Sequence, residues 1–184
     1  MYQQENDGPG IGFGGDLYAE QEALAEAVAE LRSLIPPGCE RVECVVQCLV
    51  GETSSVANAY TSLSEKVYMK GTSRETSIAL QRLRKVMYRP GAGSWFSVAM
   101  TVWTDGRSQA QYTYDQEPDW IQPPPTGISF LTDQHFFPID EDKQPQWLKD
   151  RLAAGVAELH KYGKKSYPKW LREMIAAGNK PSWL

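Results

Sequence analysis

From Ser94 to Thr104 the chain alternates Phe96, Val98, Met100 and Val102 with Trp95, Ser97, Ala99, Thr101 and Trp103, then runs into Asp105-Gly106. Successive side chains of a strand point to opposite faces, so this period of two predicts a strand with one aliphatic face. Asp-Gly favours a tight hairpin, because both central residues of a type I′ turn need a positive φ. The return strand is expected from Arg107 to Asp115. A two-residue turn pairs Thr104 with Arg107, which puts Ser108, Ala110, Tyr112 and Tyr114 on the tryptophan face and Gln109, Gln111 and Thr113 on the aliphatic one. The aliphatic face is expected to meet helices, with Trp95, Trp103, Tyr112 and Tyr114 forming an aromatic surface on the other side.

The segments before this hairpin supply helices and a meander. Asp16 is a good N-cap, Leu17, Leu24, Val28, Leu31 and Ile35 follow at helical spacing, and Pro36-Pro37-Gly38 ends the run. Between Glu40 and Val50 the period becomes two, with Val42, Cys44, Val46, Cys48 and Val50 opposite Arg41, Glu43 and Gln47. Gly51 to Ser54 reads as a turn into a strand over 56–60, and a third short strand follows over 67–69. Thr72-Ser-Arg-Glu75 has capping-box spacing, and Thr76, Leu80, Leu83 and Met87 line a helix that Pro90-Gly91 stops.

After the hairpin, residues 114–120 and 122–127 hold too much proline for a helix or a central strand, and predict an exposed, stiff loop. Two matching runs follow, Pro145 to Gly155 and Pro168 to Gly178; each predicts a helix begun by proline, closed by glycine and anchored through Trp147 or Trp170. The fold class is α+β. An antiparallel sheet, meander plus Asp-Gly hairpin, is packed by an N-terminal helix and a middle helix, with two short C-terminal helices. Residues 1–15 read as a flexible glycine-rich segment and residues 16–184 as a single domain.

Several chemistries are excluded by residue type and spacing. Cys39, Cys44 and Cys48 are an odd set, which predicts reduced thiols, and with histidine only at His135 and His160 there is no credible zinc set. Gly10 to Gly15 fits G-x-G-x-x-G, but no strand feeds it as a dinucleotide site requires. Ser94 lacks the second glycine of a nucleophile elbow, because Phe96 stands there. No catalytic residue, metal or other cofactor is therefore expected. No apolar run approaches the roughly 20 residues that cross a bilayer. The first residues lack the basic and apolar regions of a secretory signal, so a cytoplasmic location without membrane contact is expected.

Charge is distributed unevenly. Residues 143–184 hold nine Lys/Arg against three Asp/Glu, a surplus of +6, so residues 1–142 carry −10 of the total −4. Between Arg107 and Lys143 there is no lysine or arginine, yet Asp115, Glu117, Asp119, Asp133, Asp140, Glu141 and Asp142 lie among Tyr112, Tyr114 and Trp120. Such a surface repels nucleic acid and steers basic partners inward. These ten residues are the expected partner-binding set. Acids supply charge, rings supply area at low rotamer cost, and Pro118 with Pro123 to Pro125 limits ordering on binding.

The order Ile35-Pro36-Pro37-Gly38, meander, Leu80-Gln-Arg-Leu83, Gly93-Ser94-Trp95, Asp105-Gly106, Tyr112-Thr-Tyr-Asp115, Glu117-Pro118, Phe137-Pro138 and Pro145-Gln-Trp-Leu148 resembles the YezG-like immunity proteins of bacterial polymorphic toxin systems. The resemblance covers roughly residues 20–150. It implies a small α+β protein that binds and neutralises a cognate toxin, often a nuclease, inside the producing cell. The glycine-rich start and the second Pro-x-Trp-Leu helix depart from a plain member of that family. A secretion adaptor or chaperone that holds an effector protein is the alternative from a different class.

Overall fold

One residue of hairpin register decides how the layers form. The computed structural model describes residues 14–69, 71–121 and 123–184. Its elements in chain order are α1 (Leu17–Ser33), β1 (Arg41–Leu49), β2 (Glu52–Tyr60), β3 (Lys66–Tyr68), α2 (Arg74–Val86), β4 (Ser97–Trp103), β5 (Ser108–Thr113), α3 (Gly127–Phe136), α4 (Gln146–Tyr162) and α5 (Lys169–Ala176), with a short 3-10 turn at Gly163–Ser166. The five strands form one antiparallel sheet in the order β3-β2-β1-β4-β5, so the fold is α+β.

The hairpin turn holds three residues rather than two. Trp103 donates its N–H to the Arg107 carbonyl, Gly106 donates to the Trp103 carbonyl, and Gly106 sits at φ 89°. This is the three-residue loop in which glycine alone takes the positive φ. The register therefore slips by one from expectation, pairing Val98 with Tyr112 and Met100 with Ala110. Every β5 side chain changes face. Tyr112 packs on the core side against Trp95 at 5.8 Å, and Trp95 is itself fully buried, so the continuous aromatic surface does not form.

A bulge at the start of β4 completes the division of the core. The Phe96 N–H reaches the Thr113 carbonyl, although Ser97 is the residue aligned with Thr113, so two residues oppose one. Trp95 then joins Val42, Val46, Leu80 and Leu83 beneath α1 and α2, while Phe96 joins Leu49, Trp120, Phe130 and Leu148 beneath α3 and α4. Asp16 and Ser73 cap α1 and α2. The second cap lies one residue beyond the expected Thr72.

The expectation of residues 1–15 as a flexible segment falls largely on residues 1–13, which lie outside the described residues. Gly14 donates to the Lys85 carbonyl at 2.9 Å, holding the start of α1 against the end of α2.

The proline-rich segment leads into α3, a helix that its sequence context hid. Thr126 caps it, and Phe130 and Leu131 are buried. The segment before it is not wholly exposed either, since Pro118 and Trp120 are buried. Of the two C-terminal helices expected to be short, α4 is 17 residues long and passes through Gly155 without ending. There it crosses α3 so closely that a Cβ on Gly155 would lie 2.3 Å from the Gly127 carbonyl oxygen. Pro145 and Pro168 occupy the N-cap positions.

Helix α3 is tied to α2, and to the chain at the end of β1 and the start of β4, through a buried ion pair. Arg84, fully buried on α2, donates from Nη1 and Nη2 to both carboxylate oxygens of Asp133 on α3 at 2.7 and 2.8 Å, and from Nε to the Trp95 carbonyl at 2.7 Å. Asp133 also accepts from the Val50 N–H at 2.9 Å. The guanidinium lies 4.3 Å from the Phe137 ring centroid. Bidentate geometry and further hydrogen bonds are what a charge pair needs to survive removal from water.

Candidate partner-binding surface

Gln47 was expected on the polar side of its strand, and it is on that side but buried. Its amide holds the chain that crosses it at two points: Nε2 donates to the Asp119 carbonyl at 2.6 Å, and Oε1 accepts from the Ile121 N–H at 2.7 Å. On one flank Trp120 is buried edge-on to Phe130 with ring centroids 5.4 Å apart. On the other, the Trp147 indole donates to the Asp115 carbonyl at 2.8 Å, and Arg151 of α4 donates from Nε and Nη2 to Glu117 Oε1 at 2.9 and 2.6 Å. The segment over 115–121 is thus fastened by its backbone and alternate side chains. The Asp119 and Asp115 carboxylates stay exposed.

This anchoring corrects the expected partner-binding set in several places. Asp133 is buried in its pair with Arg84 and is not available to a partner. Trp120 is buried because its indole fills the gap between β1 and α3. Tyr112 faces the core because of the register slip. Glu117 is already neutralised by Arg151, a cation from the basic C-terminal region, and Asp140 is paired with Lys143 at 2.7 Å. Asp115, Asp119, Glu141 and Asp142 are exposed and form no ion pair among the described residues. Tyr114 is also exposed.

Beside the fastened segment, half of one sheet face is uncovered. The helices α3 and α4 cover the end of this face at Leu49 and Phe96, and beyond Gln47 the strands present Val45, Val56, Ala99, Thr101, Gln109 and Gln111. Val45 and Val56 are cross-strand neighbours, and they retain 46% and 44% exposure. Together with Glu43 and Asn58 these residues line a shallow depression of about 280 Å³. The Asn58 Oδ1 is buried and accepts no hydrogen bond among the described residues. Paired exposed valines on an uncovered sheet face make a surface suited to a protein partner that brings apolar contact.

The chemistry of the thiols and histidine agrees with structural roles. Burial pushes the Cys44 thiol up to about 12 and the Cys48 thiol to about 11, far from the reactive thiolate. His135 stacks on Trp170 with centroids 4.3 Å apart, and burial lowers its pKa from 6.5. Ser94, buried, spends its hydroxyl on the Arg84 carbonyl. No three His, Cys, Asp or Glu side chains among the described residues are grouped to hold a metal, and no described helix is long and apolar enough to cross a membrane.

The residues of this candidate surface that sequence reasoning missed are Gln47, Val45 and Val56. The alternation of β1 placed Gln47 on the strand's second face, where Val45 also falls, and gave no signal for Val56 on β2. Compared with protein-family models and with curated proteins, the chain matches none.

Proposed function

We propose that this protein is a cytoplasmic immunity protein that binds and neutralises a cognate basic toxin, such as a nuclease, without catalysis of its own. The observation that carries the reading is the pairing of a fixed charge with an open apolar strip. Gln47 grips the backbone on both sides of Trp120, so the chain that carries the exposed Asp119 carboxylate is held on the same strand face as Val45, two residues along β1. A partner meeting this surface orders little of it, which limits the entropic cost of association. A cationic groove that cleaves phosphodiesters is complemented by carboxylates, which also speed its approach.

The test is co-expression with the product of the neighbouring gene, read by growth rescue and co-purification. Asp119→Lys is expected to slow association at low salt, and Val45→Lys to abolish co-purification, both with the fold intact because these side chains are exposed. Full rescue by the Val45→Lys, Asp119→Lys double variant would exclude this surface.

A further inference from the structure

The two edges of the sheet are protected very differently. At one edge β3 is three residues long and carries Lys66, the kind of short, charged edge that resists further pairing. At the other, β5 is the six-residue run Ser-Gln-Ala-Gln-Tyr-Thr, with no charge, proline or bulge of its own. The Arg107 and Thr113 carbonyls point toward β4, since they accept from Trp103 and Phe96. By the alternation of an antiparallel ladder, the N–H and C=O groups of Ser108, Ala110 and Tyr112 therefore point outward. Among the described residues nothing pairs with them.

We infer that β5 pairs with β5 of a second copy of this chain, joining two five-stranded sheets across a two-fold axis through Gln111. A two-fold axis normal to the sheet makes the strands antiparallel and keeps equivalent faces together. Residues of the same parity then oppose each other. With Gln111 opposite Gln111, Ala110 meets Tyr112 and Gln109 meets Thr113, so a large side chain lies against a small one and amides against polar groups. In the same register Arg107 of each copy comes opposite Asp115 of the other. Arg107 is exposed, with Nε on Asp105 at 2.7 Å, and Asp115 has no ion-pair partner among the described residues, so the symmetry twice brings a carboxylate beside a guanidinium that holds one partner already. Shifting the centre to Ala110 puts Arg107 opposite Thr113 and loses the match. The favoured register leaves the depressions of both copies on one side of a continuous sheet.

Sedimentation velocity over a concentration series is expected to show a monomer–dimer equilibrium. Gln111→Lys sets like charges face to face at the axis and should leave only monomer. Across a pair without ladder hydrogen bonds the Cα atoms lie about 4.5 Å apart, within disulfide range. Gln111→Cys should therefore form a dimer disulfide on mild oxidation, while Gln109→Cys, opposite Thr113, should not. Arg107→Glu should weaken the dimer, and adding Asp115→Arg should restore it. A wild-type chain that stays monomeric at every concentration, or equal cross-linking of both cysteine variants, overturns the inference and leaves this edge to a strand from a different protein.

Discussion

Removing the Asp133 carboxylate should damage folding, not recognition. In Asp133→Ala, Arg84 keeps its Nε bond to the Trp95 carbonyl but loses both Nη partners, and the Val50 N–H loses its acceptor. Breaking a buried pair from one side leaves an uncompensated charge, at about 3–5 kcal/mol. A domain of this size holds about 5–15 kcal/mol in total, so roughly a fifth or more of its stability is at stake. With a urea slope of about 2 kcal/mol per molar, the unfolding midpoint should fall by roughly 1.5–2.5 M. The double variant Arg84→Met, Asp133→Leu replaces the pair by apolar groups of similar shape and should regain most of the loss. Equilibrium urea unfolding followed by tryptophan fluorescence reads all three proteins. A loss below about 1 kcal/mol in Asp133→Ala, or a double variant as unstable as the single one, would refute the reasoning.

Three further outcomes follow from the same packing. Gly155→Ala gains about 1 kcal/mol of helix propensity but drives a methyl into the Gly127 backbone, so thermal unfolding should show net destabilisation of about 1–3 kcal/mol. The folded pKa of His135 lies below its ordinary 6.5, so the unfolded chain takes up the proton first as pH falls. Its contribution is complete above about pH 6.5 and is lost as pH drops through the folded value; His135→Gln should flatten the decline in midpoint from about pH 7 to about pH 5. Cys44 and Cys48 should resist an aromatic disulfide reagent in the native protein and react on addition of denaturant; rapid native reaction would contradict their burial.

Local patterns were legible in this sequence, and pairings across long separations were not. Caps, alternation and turn residues placed α1, β1, α2 and the hairpin, because each depends on neighbours within a few positions. The register of β5 escaped because Asp-Gly serves both a two-residue turn and a three-residue loop, and the choice between them flips every side chain. Helix α3 escaped because it is only ten residues long, too short to repeat a helical period, and follows a run of prolines. Asp133 looked like part of an acidic surface because its partner Arg84 is 49 residues away, and no local spacing links them. Glu117 was misread for the same reason, with Arg151 34 residues downstream. Asp115 and Asp119 remained exposed, as the cation-free stretch suggested. What fastens the chain at Asp119, Gln47, lies on a strand read only as polar on that side.

The most direct test of the binding surface is the association rate of the purified chain with the neighbouring gene product, measured at low and at high salt for wild type and Asp119→Lys. Charge reversal at a fixed, exposed position beside the contact should slow association by roughly three- to ten-fold at low salt, with the difference shrinking as salt screens it. Equal association rates for the two proteins at low salt would contradict the account.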